Sequence, residues 1–123
     1  MPWFEFSQNN SGGSFDTDEE RGIGQWVIVE ADNADEANDR AEGIGIYFNG
    51  CYDGRDCSCC GDRWSSTYGD GDPVPSLYGK PMDEIEASSW SFTRNLPVFV
   101  HPKEGAFRRF MEVDKKCIET PAK

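Results

Sequence analysis

Four of the chain's five cysteines fall between Cys51 and Cys60, inside a stretch, residues 49–80, rich in Gly, Asp, Cys, Ser and Pro. A segment of that length and polarity does not readily order itself inside a compact domain. The cysteines are the obvious means of holding it. Cys57 and Cys60 stand at C-x-x-C spacing, and Gly61 follows directly. Two thiolates so placed grip one tetrahedral ion from a tight turn, and the glycine lets backbone N–H groups reach the sulfurs. Cys59 and Cys51 are the further ligands expected, with Cys117 or His101, the single histidine, as other candidates for the fourth position. The expected cofactor is structural Zn2+, because sites dominated by cysteine are more often structural than catalytic. Free thiols and a redox pair are the alternatives. The redox reading is the weaker, since a thioredoxin-like C-x-x-C opens a helix after a strand, and Gly61-Asp62 favours a turn.

Length and composition set the frame. A chain of 123 residues is expected to be a single domain, 1–123. It is expected to be soluble and to stay in a reducing cytoplasm. Its start, Met1-Pro2-Trp3-Phe4-Glu5-Phe6, lacks the basic region and apolar run of a signal peptide, and no stretch has the apolar length of a membrane span. The net charge of −11 is uneven: residues 1–62 hold 14 Asp/Glu against 3 Arg, and residues 63–123 hold 9 of each sign. Direct nucleic-acid binding is therefore not expected, since phosphate contacts need Lys and Arg. A partner with a basic surface suits the acidic half better; the plainer reading is a solvated acidic face that serves solubility.

Several elements are legible. Trp3–Phe6 reads as a short strand with Phe4 and Phe6 on one face. Ser7–Ser14, all small or polar, reads as a loop, a plain flexible turn in the first reading and one able to present backbone N–H groups in the second. Gln25–Ala31 is a β-branched run, apolar on both faces, and predicts a central strand. A helix follows over about 33–42. Asn33 is placed to cap it, Glu36 sits at capping-box distance, and Ala34, Ala37 and Ala41 share one face. Gly43 and Gly45 end it, and Ile44–Phe48 predicts a further strand, giving a β-α-β order. Pro97–His101 and Ala106–Met111 flank Pro102-Lys103-Glu104-Gly105 and predict a C-terminal hairpin over 97–111. Ser89–Arg94 is a candidate to pair beside it, and a frayed tail is expected from about 114. The fold class expected is α+β: a small, mainly antiparallel sheet, one principal helix, and a long zinc-pinned loop.

Other chemistry is sparse. One histidine does not easily assemble a Ser-His-Asp or Cys-His arrangement, so no enzyme is expected. His101 itself reads first as a satisfied strand residue. Asp70-Gly71-Asp72 lacks EF-hand spacing, and Gly22-Ile23-Gly24 precedes a strand rather than a phosphate-binding helix. Arg55, Arg63, Trp64 and Tyr68 flank the cysteines, a composition able to grip a small nucleotide through charge and stacking. The plainer reading packs Trp64 against the metal site and pairs Arg63 with a neighbouring Asp.

Two stretches, Phe4-Glu5-Phe6-Ser7-Gln8-Asn9-Asn10-Ser11-Gly12-Gly13-Ser14-Phe15 and Asp56-Cys57-Ser58-Cys59-Cys60-Gly61-Asp62-Arg63-Trp64, resemble a family of small proteins encoded by tailed bacteriophages. The similarity covers roughly residues 3–68. It implies expression in an infected bacterial cytoplasm and supplies no mechanism. The function expected is that of a non-enzymatic phage accessory protein that binds a host factor, in host takeover or counter-defence. The alternatives are a sponge for a small nucleotide signal and an acidic DNA-mimic inhibitor.

Overall fold

Alternation of apolar and polar residues builds the first strand of the protein, β1 (Trp3–Ser7), which buries Phe4 and Phe6 and leaves Trp3, Glu5 and Ser7 half-buried. The computed structural model describes residues 2–8, 18–24, 26–50, 52, 54, 62–77, 80–81, 98–113 and 116–120. Within them the chain forms β2 (Trp26–Glu30), α1 (Ala34–Ile44), β3 (Ser76–Leu77), β4 (Lys80–Pro81), β5 (Val98–His101), β6 (Arg108–Val113) and β7 (Lys116–Thr120). Five strands make one mixed sheet in the order β1-β2-β5-β6-β7; β3 and β4 form a separate two-stranded ribbon. The class is α+β, as expected.

β2 is an interior strand, as its β-branched run predicts. It pairs antiparallel with β1 (Phe4 opposite Val29) and parallel with β5 (Val27 opposite Phe99). A parallel neighbour needs a long crossover, and α1 lies within it. Val27 and Val29 pack with Phe4, Phe6, Ala37, Ala41 and Trp64 in one core on the helix side. Trp26, Ile28, Val98 and Val100 alternate onto the opposite face and are also buried.

The helix begins where its cap residues dictate. The Glu36 N–H donates to Asn33 Oδ1 at 2.9 Å. The Glu36 carboxylate accepts instead from the Asp32 N–H at 3.0 Å, one residue before the cap. Alanine at 37 and 41, both fully buried, lets the backbone lie close to the sheet.

Two expectations are corrected. Ile44–Phe48 is not a strand. Gly43 lies inside the helix, and Gly45, at φ 130°, ends it. Its N–H donates to the Ala41 and Glu42 carbonyls, and the Ile46 N–H donates to Ala41 O at 3.0 Å. That is a Schellman closure, in which the apolar residue after the glycine folds back onto the helix. Ile46 is buried in the core and Phe48 stacks on Phe6 with ring centroids 6.0 Å apart. The apolar alternation thus covers the core instead of pairing, and the second strand of the β-α-β order is β5. The tail is likewise not frayed over Lys116–Thr120, which pairs along β6, with Met111 opposite Ile118 and Glu112 opposite Cys117. Charged residues at both ends of this short run mask its β-forming centre.

The C-terminal hairpin forms as predicted, with Val98 opposite Phe110 and Gly105 at φ 92° in the turn. Ser89–Arg94 lies outside the described residues.

Candidate functional site

The exit from the cysteine loop is a strap, residues 62–72, fixed at four points. Arg63 is 8% exposed, and its Nη1 donates to Gln8 Oε1 at 2.9 Å. Gln8 Nε2 in turn donates to the Gly24 carbonyl at 3.0 Å. Trp64 is 2% exposed in the core. The Asn38 side chain acts as a peptide group would: its Nδ2 donates to Thr67 O (3.1 Å) and its Oδ1 accepts from the Thr67 N–H (2.8 Å). Finally Trp3 and Asp72 exchange two backbone hydrogen bonds of 2.8 Å. Gly71 permits that approach, since at φ 73° a Cβ there would stand 2.9 Å from the Trp3 carbonyl oxygen.

These anchors narrow the expectation that the cysteines hold residues 49–80. The strap is held by packing and hydrogen bonds without a metal. Cys51, Cys57, Cys59 and Cys60 lie outside the described residues, as does Arg55. Cys117 is placed by its backbone on β7. Among the described residues no group of three His, Cys, Asp or Glu is arranged to hold a metal ion.

His101 is a satisfied strand residue. It is 7% exposed, its Nε2 lies 2.8 Å from the Gly22 carbonyl, and its ring tilts against Phe107 at 5.3 Å. A carbonyl can only accept, so Nε2 carries the proton and is not available to a metal. Burial pushes the His101 pKa below 6.5; the Gly22 bond opposes that push, and the positive Arg40 adds to it. The unfolded chain therefore binds the proton more readily. The stability from neutral His101 is complete above 6.5 and is lost as pH falls from there through the folded-state value. Urea unfolding of the wild type is expected to show this slope, and His101→Gln to flatten it.

Gly22 makes the seat for that ring. At φ 73°, a Cβ would stand 2.7 Å from His101 Cε1 and Nε2 and 2.8 Å from Phe107 Cγ. Gly22→Ala is expected to cost about 1–3 kcal/mol through backbone strain alone, and more through the clash, as read from thermal melts.

The described members of the Arg/aromatic set do not share one exposed surface. Arg63 and Trp64 are buried, whereas Tyr68 is 89% exposed. A cavity of about 380 Å3 opens beside Trp64, lined by Phe48, Asn49, Asp62, Ser65 and Ser66; these residues offer polar atoms and one acid, a poor match for a phosphate. Sequence reasoning passed over Gln8 and Asn38, whose short polar side chains give no signal until their distant backbone partners are known.

Charge is sorted across the helix. On the side of the β5–β6 turn, Lys103 Nζ reaches Asp32 (2.9 Å) and Glu36 (3.1 Å), and its N–H donates to Glu30. Arg40 donates to the carbonyls of Glu30 and Pro102. On the outward face Asp35, Asp39 and Glu42 repeat at i, i+4 and i+7, all exposed, and no ion pair links them to a cation among the described residues.

No helix among the described residues is long and apolar enough to cross a membrane. No curated protein and no solved structure matches the chain. A family match does extend over residues 1–119, taking in the sheet, the helix, the cysteine loop and all but the end of β7. The chain belongs to the family described as a domain of unknown function (DUF7296).

Proposed function

We propose that the protein is a non-enzymatic accessory protein of a tailed bacteriophage that binds a basic host protein in the bacterial cytoplasm. The observation that carries the reading is the outward face of α1, where Asp35, Asp39 and Glu42 stand exposed on a rigid element. A carboxylate row on a packed helix has its backbone preorganised, so a cationic partner meets it with no backbone to order. In its extreme form such a face imitates the phosphate row of DNA. The phage context rests on the resemblance of residues 4–15 and 56–64.

The reading includes a structural zinc ion on Cys57, Cys60, Cys59 and Cys51. The donor set suits it, being thiolate-rich and closely spaced. When bound, the ion supplies a tetrahedral crosslink that gathers the loop ahead of the strap. A nucleotide grip is the weaker reading, because Trp64 offers no exposed ring and Arg63 is turned inward onto Gln8.

Capture from a bacterial lysate tests the proposal. Immobilised protein is expected to retain basic proteins at low salt and release them at high salt. Retention that is insensitive to salt, or that selects acidic proteins, contradicts it.

A further inference from the structure

A second cleft, separate from the one beside Trp64, lies along the outer edge of β1, with a volume of about 380 Å3. It is lined by Trp3, Phe4, Glu5, Thr67, Tyr68 and Asp72, together with Gly71. Two features set its chemistry. Among the described residues of its lining, the charged groups are carboxylates, Glu5 and Asp72. Its most exposed aromatic is Tyr68, a ring left 89% exposed while Trp64, four residues earlier, is buried.

We infer that this cleft is a seat for an arginine side chain of the partner protein. The inference deepens the binding-module reading and rests on it. A planar guanidinium stacks on an aromatic ring and forks onto carboxylates with its five donors; a lysine ammonium does the second only as a point charge. The carboxylates repel phosphate, so the seat does not suit a nucleotide.

The walls are preorganised. Glu5 Oε2 accepts from Ser7 Oγ at 2.8 Å, which orients the carboxylate. Asp72 is held through its backbone by the paired bonds to Trp3, so its side chain is not what fixes the strap. Thr67 is pinned to Asn38 on the helix. β1 and the strap therefore hold the two sides of the seat at a set separation.

The test is an amide NMR titration of the full chain with acetylated Gly-Arg-Gly, and with the same peptide carrying neutral citrulline in place of arginine. Saturable shifts are expected at Trp3, Glu5 and Thr67–Asp72 with the arginine peptide and not with citrulline. Tyr68→Ala changes an exposed side chain and Asp72→Asn leaves the backbone bridge in place, so both variants should fold. Each should weaken the arginine peptide by roughly threefold or more, as loss of a cation–π contact or an ion pair does. Equal binding of the citrulline peptide, unchanged affinity in both variants, or no shift at these residues overturns the seat. Shifts confined to Asp35, Asp39 and Glu42 overturn the seat and leave the acidic-helix reading standing. Shifts at the seat, with no salt-labile capture of basic proteins from lysate, sink that wider reading alone.

Discussion

Trp64→Ala will lower stability by about 3–5 kcal/mol, the usual result of truncating a large core aromatic. Total domain stability is of order 5–15 kcal/mol, so the change approaches the limit of what the fold tolerates. Trp64 lies in the same core as Phe4, Phe6, Val27, Val29, Ala37 and Ala41. Its removal opens a cavity between the helix and the sheet and also cuts the strap's main apolar anchor. Trp64→Phe should recover part of the loss. Urea unfolding gives both numbers. A cost under about 1 kcal/mol, typical of a surface change, would show that the strap does not depend on this ring.

Protein purified with its metal retained will carry a single zinc ion per chain, and Cys57→Ser or Cys60→Ser will abolish it. Loss of a structural zinc in a small domain commonly unfolds the whole chain. Here the expected result is more local. The strap has its own ties to Gln8, Asn38 and Trp3, and the sheet is built from strands outside the loop. Chelation should therefore make residues 51–61 sensitive to protease while the far-ultraviolet circular dichroism of the sheet persists. Metal analysis with no zinc in a properly prepared sample would remove the ion from the account. Global unfolding on chelation would instead show that the strap's ties are insufficient.

What the sequence made legible follows the range of each signal. β1, β2 and the helix N-terminus announce themselves through local patterns: Phe4 and Phe6 in alternation, a run of β-branched residues, and Asn33 with Glu36. The hairpin of β5 and β6 needs only a turn between two apolar runs. The misreadings arise where a residue's role is set by something remote. Ile46 and Phe48 look like strand residues, but the Schellman turn at Gly45 sends them onto Phe6 and Ala41. β7 is defined by β6 more than by its own composition.

The candidate sites divide in the same way. Trp64 and Arg63 were singled out for what their side chains can do. Burial then decides that they serve the interior. The parallel pairing of β2 with β5 and the link between Asn38 and Thr67 join residues far apart in the chain, and no local pattern encodes either. The carboxylate row of α1 follows from the helix period once Ala34, Ala37 and Ala41 are placed on the inner face, and Asp35, Asp39 and Glu42 are exposed as that placement requires.

The central claim, that the acidic helix face binds a cationic partner, is tested most directly by measuring the affinity of a captured partner for wild type and for the triple variant Asp35→Asn, Asp39→Asn, Glu42→Gln across a salt series. The three residues are exposed, and the substitutions conserve shape, so the fold should be preserved. The account predicts that the variant binds roughly tenfold or more weakly at low salt, mainly through a slower on-rate, and that wild type and variant converge as salt rises. Equal affinities at low salt, with parallel salt dependence, would contradict it.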